Sequence, residues 1–180
     1  MDLTLRPFQD EDRAILAGWF GDEAALIQWG GPDMRFPLDE MQLRAMQAGA
    51  EEEPPRRLLW TGLRAGRVAA HGQVFLDWRH GVARLARIAV DPACRGEGLA
   101  VPFLDMLILG VWARPEFFRI ELNVYTFNTA AIRAYRRLGF AEEGVRRSAV
   151  AVGSDRWDVA HYALLPAERP GVEETRPGAG

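Results

Sequence analysis

One stretch near the middle of the chain limits the possible folds more than any other. An apolar, β-branched run over 85–90 ends at Asp91-Pro92, a polar turn with Gly96 and Gly98 follows, and a long apolar run begins at Leu99. This order is typical of a strand, a glycine-rich turn and the N-terminus of a helix. The first amides of a helix lack internal partners and lie at the positive end of its dipole, and glycine lets an anion approach the backbone. The stretch therefore predicts an anion site, with a simple tight turn as the alternative.

Two familiar phosphate-binding loops do not fit this stretch. A Walker A loop needs a lysine after its second glycine, and all 22 basic residues of this chain are arginines. A dinucleotide-binding fingerprint needs a small residue at the position of Val101. It also needs a clear βαβ unit with an acid further along the chain, and the sequence shows no such unit. The absence of lysine also excludes catalysis through a lysine Schiff base.

Composition and charge bound the class of protein. A chain of 180 residues fits one domain, which we expect over 1–166, and the Pro-, Gly- and Glu-rich segment 167–180 is expected to be a disordered tail. The net charge of -3 argues against a nucleic-acid partner. No apolar run is long enough to span a membrane, no signal peptide is apparent, and a lone cysteine, Cys94, fits a reducing cytoplasm. His71, His80 and His161 show no metal-ligand spacing, so no metal is expected.

Hydrophobic periodicity predicts an α+β chain with a mixed, mostly antiparallel sheet flanked by helices. The strand at 118–125 follows the strand at 82–90 through a helix, so the two should be parallel, because that connection is a crossover. Strands are expected at 3–7, 58–64, 68–78, 82–90, 118–125, 144–152 and 156–164, and helices after Asp10–Asp12 and at 38–48, 99–113 and 130–138.

Two motifs on these elements carry a family resemblance. The turn Arg95-Gly96-Glu97-Gly98-Leu99-Ala100 fits R/Q-x-x-G-x-G/A, and 128–140 fits N-x-x-A-x-x-x-Y-x-x-x-G-F. At this spacing the chain resembles the GNAT superfamily of acetyl-coenzyme A (acetyl-CoA)-dependent N-acetyltransferases. The segments 119–128 and 143–146 look like its RimJ/RimL-like branch, whose members acetylate ribosomal-protein N-termini, polyamines and some antibiotics.

The resemblance implies acetyl-CoA as cosubstrate and a GNAT fold. The loop amides would hold the pyrophosphate, the strand entering the loop would hold the pantetheine arm, and Asn128 would either cap its helix or bond the pantetheine. The residues expected to bind acetyl-CoA are Ile88, Ala89, Val90, Arg95, Gly96, Glu97, Gly98, Leu99, Ala100, Asn128 and Tyr135.

The resemblance also implies the catalytic groups. Tyr135 would protonate the departing thiolate, with a purely packing role as the alternative. The strand entering the loop carries Arg84 and Arg87 but no acid, so the base that deprotonates the acceptor amine is open. Glu121 is the first candidate by strand alternation, Asp77 and His71 come next, and a relay through water is a further option.

The acceptor is expected to be a primary amine, such as a protein N-terminus, a polyamine or other small amine, or an antibiotic. The alternative function is a non-catalytic module that binds or senses acyl-CoA. The expected partners are therefore acetyl-CoA and an amine acceptor, without nucleic acid or membrane, in a protein that could form a homodimer.

Overall fold

The computed structural model describes residues 2–169, which form one sheet of seven strands and five α-helices. The strands are β1 (Leu3–Pro7), β2 (Arg57–Arg64), β3 (Arg67–Asp77), β4 (Val82–Val90), β5 (Arg119–Tyr125), β6 (Ala141–Val152) and β7 (Asp155–Leu164). The helices are α1 (Asp12–Ala17), α2 (Glu23–Gly30), α3 (Glu40–Gln47), α4 (Ala100–Trp112) and α5 (Thr129–Arg137).

The sheet has the order β1-β2-β3-β4-β5-β7-β6. All neighbouring strands are antiparallel except β4 and β5, which are parallel because α4 carries the chain across between them. This arrangement confirms the predicted α+β class with a mixed, mostly antiparallel sheet. It also places the parallel pair in the interior of the sheet, directly beside the glycine-rich turn.

Helices cover both faces of the sheet and enclose two apolar cores. On one face, α4 and α5 pack on β3, β4, β5 and β7, with Phe103, Leu107 and Ile108 of α4 almost fully buried. On the other face, α1, α2 and α3 enclose a smaller core that reaches β4 through Ala89. Each fully buried Leu, Ile or Phe side chain stabilises the fold by about 1.5–3 kcal/mol, so the sheet is held from both sides.

One helix of the structure has no counterpart in the sequence prediction. Helix α2 was not expected, because the pair Gly30-Gly31 and the following proline indicated only a break. The break is real, but Asp22 caps a helix before it by accepting a hydrogen bond of 2.7 Å from the Ala25 amide.

At the other end of the described residues, Pro166–Glu168 forms a 3₁₀ turn. Arg169 then pairs with Asp105 of α4.

The first three residues of the predicted tail, 167–169, thus lie in this turn and in the pair with α4. The remainder of it, 170–180, lies outside the described residues. Within residues 2–169, no helix is long and apolar enough to cross a membrane.

Candidate active site

Strands β4 and β5 part halfway along their length, and this parting forms the site. They are paired only from Val82 to Leu85 on β4 and from Arg119 to Leu122 on β5. Strand β4 stays bonded to β3 as far as Val90, so its other edge over 86–90 faces the gap with no strand partner among the described residues. Unpaired backbone groups at such an edge are available to an extended ligand.

A β-bulge at Arg87 accounts for the parting. Gln73 of β3 lies opposite Ala86 and His71 lies opposite Ala89, so β4 carries one extra residue over this interval. Arg87 has a φ of +52°, in the left-handed region that a long side chain seldom adopts. A bulge bends and twists its strand, which turns the end of β4 away from β5.

The glycine-rich turn connects this bent end of β4 to α4. Gly96 and Gly98 have φ values of +80° and +77°, and a Cβ added at either would meet no atom within 4 Å, so both face open space. Leu99, only 1% exposed, anchors the start of α4 in the core. The first amides of this 13-residue helix have no side-chain cap among the described residues and directly follow the two open glycines, so they are available as donors, as an anion site requires.

Glu97 of this turn is ion-paired with Arg64 of β2. The pair fastens the turn to the neighbouring part of the sheet. It also offsets the negative charge that Glu97 would otherwise bring to a predicted phosphate site.

Tyr135 lies in the second turn of α5 and belongs to the same core as α4 and the end of β5. The residue is 7% exposed, and its ring meets Phe140 edge to face with 5.8 Å between the ring centroids. Burial raises the pKa of Tyr135 to about 12, which keeps the phenol protonated at neutral pH. The packing role is therefore present in the structure, and a proton-donating role is compatible with it.

Asn128 caps α5, because its Oδ1 accepts a hydrogen bond of 3.3 Å from the Ala131 amide. The sequence left open whether this side chain caps the helix or bonds a ligand, and the structure shows the cap. A cap occupies the carbonyl oxygen of Asn128 but leaves its NH₂ group available as a donor.

Glu121 lies on the strand face opposite the α4 core, with Asn123 on the same face. Together with Glu143 and His161 they line a cleft of about 250 Å³ across β5, β7 and β6. Arg119 also borders this cleft, where it pairs with Glu143 and approaches Glu121 at 3.4 Å. The cleft opens beside the gap, since Glu121 and Asn123 flank the last paired position of β5.

The other two candidate bases do not share this position. Asp77 is paired with Val82, at the end of β4 remote from the glycine-rich turn, and its carboxylate accepts a hydrogen bond from the His80 amide at 3.1 Å. His71 is 2% exposed beneath the helices of the smaller core, and burial lowers its pKa to about 3. A buried, weakly basic imidazole is poorly suited to accept a proton from an incoming amine.

His161 is a residue of this cleft that the sequence analysis considered only as a metal ligand. It lies directly opposite Asn123 in the antiparallel pairing of β5 and β7. Side chains alternate between the two faces of a strand, so the pairing register of β5 and β7 is needed to assign His161 to the face of Glu121. Within residues 2–169, no group of three or more His, Cys, Asp or Glu side chains is arranged to hold a metal ion.

Comparison with known proteins agrees with this geometry. The sequence pattern of the acetyltransferase (GNAT) family matches residues 23–140, which include both motifs. The chain is 22% identical over 153 residues to aminoglycoside N(6')-acetyltransferase type 1 of Klebsiella pneumoniae, covering 79% of this chain and 75% of that protein.

Solved structures share the fold over nearly the whole chain. Spermidine N-acetyltransferase from Vibrio cholerae, in complex with CoA and spermine, matches with a TM-score of 0.79 and 17% identity over 92% of this chain and 96% of that chain. The ribosomal L7/L12 α-N-protein acetyltransferase RimL, in complex with CoA, matches with a TM-score of 0.76 and 18% identity over 91% and 93%. These solved structures confirm the predicted fold, and the family match confirms the predicted acetyltransferase class. The chain belongs to the acetyltransferase (GNAT) family.

Proposed function

We propose that this protein transfers the acetyl group of acetyl-CoA directly to a primary amine in the gap between β4 and β5. The observation that carries the proposal is the parting of the only parallel strand pair beside a glycine-rich helix start, within the described residues. The amides from Gly96 to Ala100 and the side chain of Arg95 bind the pyrophosphate. The free edge of β4 at Ile88–Val90 binds the pantetheine arm, and one of its amides polarises the thioester carbonyl.

The catalytic steps follow from the groups beside the gap. Glu121 accepts a proton from the acceptor ammonium, and the neutral amine attacks the thioester carbon. The carbon–sulfur bond then breaks, Tyr135 donates its phenolic proton to the leaving thiolate, and the amide nitrogen releases its remaining extra proton through water to the Tyr135 phenolate. His161 is the second candidate for the base, because it lines the same cleft as Glu121.

The acceptor belongs to the class of primary amines on which the related enzymes act. The names of the related enzymes cover aminoglycosides, polyamines and the N-termini of ribosomal proteins, and the fold similarity does not choose among them. We also propose a cytoplasmic location, which the lone cysteine supports. A homodimer through the C-terminal strands remains part of the proposal.

Release of free thiol from acetyl-CoA tests the proposed roles, with a panel of peptide, polyamine and aminoglycoside acceptors. Replacement of Tyr135 by Phe should lower kcat by about a hundredfold while acetyl-CoA binds as before, because only the hydroxyl is lost. Unchanged turnover in Tyr135→Phe would contradict the assigned role of the hydroxyl.

The base is tested in the same assay with Glu121→Gln and His161→Asn. The matched controls are Glu116→Gln and His80→Asn, which alter exposed residues of the same types. Unchanged turnover of both Glu121→Gln and His161→Asn would leave a water relay as the route of the proton. Binding of acetyl-CoA without thiol release for any acceptor would instead favour the non-catalytic, acyl-CoA-sensing function.

A further inference from the structure

Three arginines gather on the sheet face that carries Glu121. Arg57, Phe75 and Arg84 lie opposite one another on β2, β3 and β4. The Phe75 ring centroid is 4.3 Å from the Arg57 guanidinium carbon and 5.5 Å from that of Arg84. Arg87 follows on β4 at the bulge. Arg57, Arg84 and Arg87 are called the arginine cluster below.

The arginine cluster has no acidic partner. Within residues 2–169, no carboxylate oxygen lies within the 4.0 Å of an ion pair from any of its members. The Asp33 carboxylate lies beyond that distance and affects Arg87 only through its charge, which opposes the lowering of the Arg87 pKa by burial. By contrast, Arg6, Arg13 and Arg119 are all paired with carboxylates. Among the described residues, the arginine cluster is therefore an unpaired patch of positive charge on this face of the sheet.

The contacts of Arg87 are long and neutral. Its guanidinium lies 3.4 Å from the Gly30 carbonyl, 3.4 Å from the Gln73 side-chain oxygen and 3.8 Å from the Met34 sulfur. Burial, and then the nearby charge of Arg57, lower the pKa of Arg87 to about 10, so it remains a cation at neutral pH. None of these contacts is the short, charge-assisted hydrogen bond that a guanidinium group forms with an anion.

Arg57 is in a similar state. One of its terminal nitrogens donates to the Met46 carbonyl, but its Nε is buried without any hydrogen-bond partner. Buried guanidinium groups are costly unless they are paired and hydrogen-bonded. An anion bound among these arginines would satisfy both requirements at once, since guanidinium groups bind carboxylates and phosphates in a bidentate manner.

The arginine cluster lies beside the proposed site of acetyl transfer. Arg87 immediately precedes the Ile88–Val90 edge proposed for the thioester, and Arg84 lies opposite Glu121 on the neighbouring parallel strand. Neighbouring strands are about 4.8 Å apart. A small acceptor could thus place its amine towards Glu121 and an anionic group towards the arginines.

We propose that the acceptor is a primary amine that also carries an anionic group, a carboxylate or a phosphate, and that the arginine cluster binds this group. The inference rests on the proposed function, because it places the acceptor beside the gap. It also separates this protein from an enzyme for polyamines, since a polycation would meet like charges at Arg57, Arg84 and Arg87.

Matched acceptors test the proposal. The dipeptide amides Ala-Glu and Ala-Gln differ by one carboxylate, while their N-terminal amines titrate alike. Ala-phosphoserine and Ala-Ser amides form the phosphate pair, and spermine is the cationic probe. Acetylation is followed by thiol release, and binding to the CoA-saturated enzyme is followed by calorimetry. The variants are Arg87→Gln and, as an exposed control, Arg79→Gln.

We expect kcat/KM to be at least about tenfold higher for the anionic member of one pair, whichever anion that is, and spermine to be the poorer substrate. Arg87→Gln should reduce the preference to about twofold or less, whereas Arg79→Gln should retain it. Equal use of both members in both pairs, a preference for spermine, or an unchanged preference in Arg87→Gln would overturn the inference.

The two proposals fail in different ways. If no acceptor is acetylated, the proposed function fails. Calorimetry of dipeptide binding then still tests whether the arginine cluster binds an anion. Weaker binding of the anionic dipeptide to Arg87→Gln than to Arg79→Gln would support the arginine cluster as an anion site. Equal binding to both variants would overturn it.

Discussion

Mild acid should destabilise this fold through one buried imidazole. His71 is 2% exposed, its Nε2 lies 3.1 Å from the Gln73 side-chain nitrogen, and its Nδ1 has no hydrogen-bond partner. Burial lowers the pKa of His71 from 6.5 to about 3. Between these values the unfolded chain binds a proton that the folded chain does not. The stabilisation is therefore complete above pH 6.5 and is lost as the pH falls towards 3.

The size of the effect follows from this difference in pKa. One proton bound only by the unfolded state lowers the free energy of unfolding by about 1.4 kcal/mol per pH unit, or by about 2 kcal/mol between about pH 7.5 and 5. Ordinary carboxylates titrate near pH 4, so the stability change over this pH interval comes mainly from histidine side chains.

Urea unfolding at the two pH values measures the loss. In His71→Gln the loss should fall below about 0.5 kcal/mol, even if that variant is less stable at both pH values. His80→Gln, at an exposed histidine, is the control and should behave like the unsubstituted protein. An equal loss in the unsubstituted protein and in His71→Gln would refute the account of His71 as a buried neutral residue.

Two further predictions concern α1 and α4. Asp12→Asn should lower the free energy of unfolding by about 3 kcal/mol in urea at neutral pH, because Asp12 is 1% exposed and accepts hydrogen bonds of 2.7 Å from both Arg6 and Thr61. A loss below about 1 kcal/mol would contradict this role. Gly110→Ala should raise the free energy of unfolding by about 0.5–1 kcal/mol, because a Cβ there meets no atom within 4 Å and alanine favours the helix. A lowered melting temperature would show that the site is less open than described.

Much of the fold was predictable because its signals are local. The glycines after β4, the apolar run of α4 and the polar cap of α5 each mark an element boundary within a few residues. The parallel pairing of β4 and β5 followed from the crossover between them. The predicted bounds of β1 and β4 agree with the structure residue for residue.

The details that shape the site depend on distant residues. The bulge at Arg87 exists only relative to β3, and nothing in 85–90 marks the extra residue. The burial of His71 and the neighbourhood of Arg57, Arg84 and Arg87 likewise depend on how α1–α3 cover the sheet. The sequence therefore predicts the cosubstrate more readily than the base or the acceptor.

The central claim is that the turn from Arg95 to Ala100 binds the pyrophosphate of acetyl-CoA, and calorimetry tests it most directly. Valine at Gly98 would strain a φ of +77° and extend into the open space in front of the helix amides. Gly153→Val is the matched control, since Gly153 also has a positive φ, of +57°, and open space around it, but lies in the β6–β7 hairpin.

We predict that one acetyl-CoA binds per chain and that Gly98→Val raises Kd by at least about tenfold, whereas Gly153→Val leaves it unchanged. Equal affinity of the Gly98→Val variant and the unsubstituted protein for acetyl-CoA would contradict the account.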